Sequence, residues 1–395
     1  MALALEGITV VDLTQGVSGP LCTRFLSELG ARVIKVERPK VGDLIRQWDG
    51  IVNGVCSGHA WVNPHKESVT IDLKKEKGRE ILWRLIKKAD VLIENFVPGT
   101  VESWGITYDV VKEINPRIIF CQISGFGQDG PYSKRAALDL IMQGETGIIL
   151  TNGLPDAPAK VSLSLVDISA CMHASLAIAV SLYYRQVHGV GQRLDVALFD
   201  SVMAWLGYFP YMYWYENRIP ERVGMHHHTM APYGPYPAKD GKYVIIAGGS
   251  GAREMWERFC GVLDILHIVD HEKFATNELR LANREELDVV VAEAFSKHDR
   301  DTWIDRFYKA GIPVGALNDI GEALNHPRVK FRNLVREVDS KAGKIKVFDY
   351  PVQMSEAETV LKWGPPELGE HTDRVLEEFG YSKEEIADLQ NHEVV

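Results

Sequence analysis

A carboxylate set alone in apolar sequence is a candidate for chemistry. The stretch Lys160–Ala174, KVSLSLVDISACMHA, holds one: Asp167 is its single charge between Lys160 and His173. Val161, Leu163 and Leu165 alternate before it, and Ile168–Leu182 after it is small and apolar, a helix too apolar to face water. Two readings stand side by side. Asp167 caps a buried helix, where free N–H groups and the helix dipole favour an anion, or it is a buried nucleophile. Other groups suited to chemistry lie where strands end in loops: Gln15, Arg38, Asn95 and Ser124. Arg38 beside Glu37 suggests a phosphate on the ligand. Its loop, Arg38–Trp48, carries Lys40 and Arg46 as well and also reads as a solvated basic loop. His226, His227 and His228 are adjacent, so their side chains diverge and no metal site is expected from them. Gly248–Gly251 reads either as a mobile lid or as an ordinary strand-to-helix turn.

These residues need a scaffold. Gly7–Leu13 is a strand, Thr14–Pro20 a turn, Leu21–Leu29 a helix and Ala31–Glu37 a second strand, a βαβ unit that implies a parallel sheet. The turn offers only Gly16 and Gly19 and is not GxGxxG, so a dinucleotide site is disfavoured. Further strands are expected at Ser68–Leu73, Asp90–Phe96, Arg117–Gly127, Arg193–Ala197, Tyr243–Ala247 and Pro313–Leu317. Helices are expected at Glu76–Ala89, Ala136–Thr146, Asp167–Tyr184, Asp200–Tyr215, Glu254–Val262, Arg284–Phe295, Asp301–Ala310 and Thr372–Phe379. In an open α/β sheet, ligands gather outside the carboxyl ends of the strands.

At 395 residues the chain exceeds one ordinary core, so two domains are expected, with a texture change after Arg222. A net charge of −10 without a Lys/Arg block argues against nucleic acid or an anionic membrane as partner. Five cysteines, with no CxxC pair, suit a reducing compartment rather than a disulfide framework or zinc ribbon. The N-terminus lacks the pattern of a signal peptide, and no window reaches eighteen uninterrupted apolar residues, so a cytoplasmic enzyme is expected.

Several stretches in one order carry a resemblance: GITVVDLTQGVSGPLCTRFLSELGARVIKVERP, SVTIDLKK, ADVLIENFVPG, SGFGQDGPY, the LVD ending at Asp167, GQRLDVALFDSV and LGEHTDRVLEEFG. Nearly end to end, the chain resembles the family III coenzyme A transferases, the formyl-CoA and carnitine-CoA transferase group. The resemblance implies an α/β fold: a Rossmann-like large domain with a parallel sheet, made from residues 1–222 and 326–395, and a smaller α/β domain at 223–325. It also implies an interlocked homodimer. The cofactor is none tightly bound, with a CoA thioester as substrate and a carboxylic acid as second substrate.

Asp167 matches the family's catalytic aspartate, which shifts the weight from cap to nucleophile and makes the cap geometry the expected device for keeping it ionised. For CoA, the resemblance points to Gly16, Val17, Ser18, Arg38, Ile71, Leu73, Lys74, Asn95, Phe96 and Asp139, the last an acidic neighbour of the nucleophile. The pattern departs from formyl-CoA transferase where Val17 replaces a glutamine and where Ser103–Trp104 replace an Arg-Met pair, so formate is not the expected acyl group. Racemases of the same fold carry a histidine base in an AGHD segment; here Leu138 stands in its place. Asp49–Ser68 looks most like the branch acting on itaconate, malate, citramalate and glutarate. The acid is then expected to meet Gln15, Arg46, His226 and His227, with Arg46 favoured by its bidentate fork.

Overall fold

The computed structural model describes residues 2–248 and 252–395. Its first unit takes Met1–Ile148, Val161–Arg218 and Lys330–Val395; its second takes Ile149–Lys160 and Ile219–Val329. Relative to the expected boundaries, the short hairpin of Gly153–Leu154 and Ala157–Pro158 goes to the second unit. Hydrogen bonds tie it there: Gly224 N–H donates to Gly153 O at 2.9 Å, and Arg222 donates from Nε to Leu154 O at 2.9 Å and from Nη2 to Pro155 O.

The first unit is built on six parallel strands: β1 (Thr9–Asp12), β2 (Arg32–Glu37), β3 (Glu67–Thr70), β4 (Val91–Glu94), β5 (Ile119–Ser124) and β6 (Arg193–Ala197). Their order across the sheet is β3-β2-β1-β4-β5-β6, with Val11 beside both Ile34 and Leu92. This is the doubly wound order, and the direction of winding reverses between β1 and β4. The inner strands read as apolar runs because both faces are covered. Val10, Val33 and Ile93 face helices α1 (Ser18–Glu28) and α3 (Leu165–His188). Val11, Ile34 and Leu92 face Glu76–Lys88 and the C-terminal helices Thr372–Glu378 and Lys383–Asn391. Within Glu76–Lys88, Ile81, Leu82, Leu85 and Ile86 are wholly buried at helical spacing. Each such side chain stabilises the fold by about 1.5–3 kcal/mol.

Helix α3 is long and apolar enough to cross a membrane by length and composition. Its inner side, Val166, Ala170, Cys171, Ala174 and Ile178, is packed into the core under the sheet. The aromatic stretch Asp200–Tyr215, expected as one helix, is two: Leu198–Met203 and Phe209–Glu216. Gly207 between them takes φ +63°, and Pro210 in the first turn of the second has no N–H to continue a helix from before it.

Charge is buried at the carboxyl ends of β1 and β2. Lys35 and Lys66 are fully enclosed. Lys35 Nζ lies 2.9 Å from Asp43 Oδ2 and donates to Thr14 O at 2.8 Å. Lys66 Nζ donates to Pro20 O, Thr23 Oγ1 and Asn63 Oδ1 at 2.7–2.9 Å and lies 3.3 Å from Asp12 Oδ2. Burial alone would raise the Asp12 carboxyl, yet the two lysines and two threonine hydroxyls hold it below its ordinary value. An enclosed charge is tolerated only when paired in this way.

The second unit has its own core. Strands Tyr233–Pro237, Tyr243–Ala247 and Val314–Ala316 form an antiparallel sheet. Against it, Trp256, Phe259, Phe295, Trp303 and Phe307 pack from three helices.

Candidate active site

Asp167 lies in the first turn of α3, and the helix starts one turn's width before it. The N-cap is Ser164, and Asp167 is the third helical residue. The cap reading is therefore corrected: Asp167 is not the residue that takes up the free N–H groups. Asp139, at the start of α2 (Asp139–Glu145), does part of that work. Its Oδ1 accepts from Val166 N at 2.8 Å, and its Oδ2 accepts from Gln143 Nε2 at 2.6 Å. Gln143 is itself fully buried and is locked to the backbone of Val161 through both N and O. The two carboxylates are thus pinned near one another by the same helix start.

The electrostatic consequence is the reverse of the expected one. Burial pushes the Asp167 carboxyl up to about 7, the Asp139 charge adds to the rise, and the Ser18 hydroxyl offsets part of it. Near neutral pH, Asp167 is poised between acid and carboxylate. A carboxylate held in this way is poorly solvated, which leaves it more reactive than one in water.

Asp167 opens onto a cavity of about 590 Å³. Gln15, Gly16, Val17 and Ser18 form one wall; Asn95, Phe96 and Ser124 form another; Asp139 lies beside Asp167. The turn after β1 is shaped by two glycines. Gly16 takes φ +73°, and a Cβ on Gly19 would lie 2.3 Å from the Thr14 side chain. Helix α1 then begins at Ser18 with no side-chain cap, so its first N–H groups and positive dipole end remain on the side of this wall. Gln15 and Asn95 follow β1 and β4, the two strands at which the winding reverses. They clasp each other: Gln15 N donates to Asn95 Oδ1 at 2.8 Å, and Asn95 Nδ2 to Gln15 O at 2.7 Å.

A second cavity, of about 280 Å³, shares Gln15 and Phe96 with the first. It brings together Arg38, Ile71, Leu73 and Lys74, with Leu13 and Val36 as apolar floor. Arg38 and Lys74 are exposed at this cavity. Trp104, standing where a methionine was the pattern, closes the cavity with its ring edge-on to Phe96, centroids 5.4 Å apart. The two cavities adjoin at Gln15 and Phe96: the smaller has an apolar floor with Arg38 and Lys74 beside Glu37 and Asp72, and the larger has Asp139 and Asp167.

Three expected acid-binding residues lie elsewhere. Arg46 has its fork closed on Glu37, at 2.7 Å from Nε and 2.6 Å from Nη2, and donates to Pro366 O at 3.1 Å. Burial alone would raise Glu37, but Arg46 and Lys35 bring it down to about 2. Arg46 is therefore a fold contact lining a different cavity, with His59 and Cys56. His226 and His227 are in the second unit. His226 Nδ1 lies 3.1 Å from Tyr233 O, its Nε2 is 3.7 Å from Asp288, and His227 meets Thr229. The glycine lid at 248–251 lies, apart from Gly248, outside the described residues.

Conversely, the Asp167 cavity holds side chains that went unread as site residues: Leu44, Trp48, Arg135 and Leu198, together with Leu138 from the racemase comparison. Leu44, Trp48 and Leu138 are more than half exposed, an apolar rim around a polar floor. Such a rim excludes water once a ligand covers it.

Three comparisons bear on this geometry. A family model described as CoA-transferase family III matches residues 5–372. Acetyl-CoA:oxalate CoA-transferase of Acetobacter aceti is 35% identical, over 95% of this chain and 95% of its own. Succinyl-CoA:glutarate CoA-transferase of Homo sapiens is 33% identical, over 99% of this chain and 90% of its own. Among solved structures, a CAIB/BAIF family protein from Brucella suis superposes with a TM-score of 0.86 at 34% identity, covering 96% of this chain and all of that one.

The raised Asp167 value gives a pH test with a fixed sign. The folded chain holds a proton there that the unfolded chain releases near its ordinary value of 3.8. Stability from this group is therefore complete below roughly pH 4 and is lost as pH rises through about 7. Asp167→Asn has no such loss. Its thermal midpoint, close to that of wild type at pH 4.5, is expected to exceed it by a growing margin up to pH 7.5, worth on the order of 2–4 kcal/mol. An offset constant across that range contradicts the assignment.

Proposed function

The chain belongs to CoA-transferase family III, and on that premise we propose that it moves coenzyme A from an acyl-CoA donor to a small dicarboxylic acid, with Asp167 as nucleophile. The observation that carries this reading is the pair of adjoining cavities. A half-buried carboxylate of raised proton affinity stands at one end, and at the other stands a slot with an apolar floor, two exposed cations and the carboxylates Glu37 and Asp72. Arg38 and Lys74 suit the phosphates, Ile71 and Leu73 the adenine face, and Phe96 with Gln15 the pantetheine where the two cavities meet. Gly16, Val17, Ser18 and Asn95 then surround the thioester.

The chemistry balances with these parts alone. Ionised Asp167 attacks the thioester carbonyl; the C–S bond breaks, giving a mixed anhydride and CoA thiolate. The thiolate attacks the aspartyl carbonyl, breaking the bridging C–O bond, and the donor acid leaves with an oxygen that came from Asp167. The acceptor carboxylate then attacks the aspartyl-CoA thioester and the steps run in reverse. Negative charge develops on a carbonyl oxygen at each attack, where the uncapped N–H groups of α1 and the Ser18 hydroxyl are the available donors. Asp139 raises the energy of the Asp167 charge and so favours its conversion to the uncharged anhydride or thioester.

The substrate reading draws on relatives whose names give oxalate and glutarate as acceptors and acetyl-CoA and succinyl-CoA as donors. We propose succinyl-CoA as donor and an acid of the itaconate, malate, citramalate and glutarate class as acceptor, in a cytoplasmic enzyme. Proton abstraction at the α-carbon is the weaker reading, because the cavity offers no imidazole where Leu138 stands. A pair of copies is part of the same proposal. Met172, Leu176, Val180, Tyr183 and Val187 form an exposed apolar stripe along α3 at helical spacing. A second chain interlocked with the first would remove that stripe from water.

Asp167→Ala is expected to lower kcat by at least about a thousandfold while its circular dichroism matches wild type. Wild-type rates in that variant would end the proposal. For the assembly, sedimentation equilibrium is expected to give twice the chain mass at micromolar concentration; a stable monomer with full activity contradicts the paired form.

A further inference from the structure

The Asp167 cavity contains two carboxylates, and a dicarboxylic acid would bring two more. Its lining includes one cation among the described residues, Arg135. That guanidinium is still available. It stacks over the Tyr132 ring at 4.4 Å and stands 3.8 Å from Glu145, too far for a hydrogen-bonded fork, and more than half of it is exposed. Arg46 differs on both counts, being mostly covered and forked onto Glu37.

Arg135 has a neighbour in the same corner. Ser124, the last residue of β5, is 5% exposed, and its Oγ has no hydrogen-bond partner among the described residues. A buried hydroxyl left unpaired is costly unless a ligand completes it. The wall between the two is held by Gly125. A Cβ there would lie 2.4 Å from Ala137 Cβ and 3.7 Å from Arg135 O, so the 135–137 backbone lies directly on the end of β5. Phe199 N donates to Gly125 O at 3.0 Å, and Arg135 N donates to Tyr132 O at 2.8 Å, which fixes both sides of the corner.

Resting on the transferase reading above, we propose that Arg135 and Ser124 form the subsite for the non-reacting carboxylate of a dicarboxylic acid. The guanidinium takes that carboxylate through its fork, and the Ser124 hydroxyl donates a further hydrogen bond. Because donor acyl group and acceptor acid occupy Asp167 in turn, one subsite serves a succinyl group and the incoming acid alike. It selects acids by the presence of a second anion rather than by apolar bulk, the stronger form of discrimination.

The test compares glutarate with pentanoate as acceptor, and succinyl-CoA with acetyl-CoA as donor, in wild type, Arg135→Leu, Arg135→Lys and Ser124→Ala. Arg135→Leu is expected to raise KM for glutarate by about tenfold to a hundredfold. Its kcat/KM for pentanoate, and its formation of the enzyme–CoA adduct from acetyl-CoA alone, are expected to stay within about threefold of wild type. Arg135→Lys restores part of the glutarate affinity, and Ser124→Ala gives a smaller rise of the same kind. An Arg135→Leu enzyme whose KM for glutarate is unchanged, or which loses both acids equally, overturns the subsite. If wild type forms no adduct and transfers CoA to neither acid, the transferase reading has failed, and the subsite falls with it.

Discussion

A half-buried carboxylate in the first turn of a helix, with a second carboxylate beside it, is the arrangement around which the site of the first unit is organised. Burial and the Asp139 charge both oppose ionisation of Asp167. Neutral, covalent forms of that side chain suffer neither penalty. The fold therefore makes the resting ion the expensive state and lowers the relative energy of any acyl form of Asp167. Val166 N–H and Gln143 hold Asp139 in place, so the like-charge contact cannot relax by swinging away.

The opposite wall depends on a different kind of buried charge. Gly16 N donates to Asp43 Oδ1 at 2.9 Å; Asp43 is paired with Lys35, and Lys35 holds Thr14 O. The turn that faces Asp167 is thereby fastened to two enclosed lysines rather than to solvent. Removing one member would strand the others, which is why such a cluster specifies position more than it adds stability. On the same logic the Glu37–Arg46 pair belongs to the fold. It anchors the loop after β2 and leaves Arg38, the next residue along, exposed at the smaller cavity.

Much of this was legible in the sequence. Apolar runs separated by amphipathic helices announce parallel strands, and the polar residues at their carboxyl ends, Gln15, Arg38, Asn95 and Ser124, all line the two cavities. Asp167 stood out because nothing near it was charged. What failed depended on tertiary partners. Asp167 resembled a cap, but Ser164 begins the helix, and the carboxylate that takes a first-turn N–H is Asp139, which accepts from Val166 across 27 residues of chain. Arg46 had the right chemistry for an acid, yet its fork is taken by Glu37, nine residues away. Arg135 was hidden in a polar loop whose position depends on the bare Cα of Gly125. The helix Lys383–Asn391 does carry a local signal, the capping box of Ser382 and Glu385, that the apolar pattern alone does not reveal.

Oxygen tracing tests the central claim most directly. If Asp167 forms the anhydride, each acceptor carboxylate leaves one of its oxygens on that side chain. With succinyl-CoA and an acceptor acid labelled in both carboxylate oxygens of its reacting end, in ordinary water, the Asp167 peptide of wild type should gain heavy oxygen during turnover. The released donor acid should then carry heavy oxygen in later cycles. Turnover with an unlabelled Asp167 peptide, or label at another carboxylate, would contradict the account.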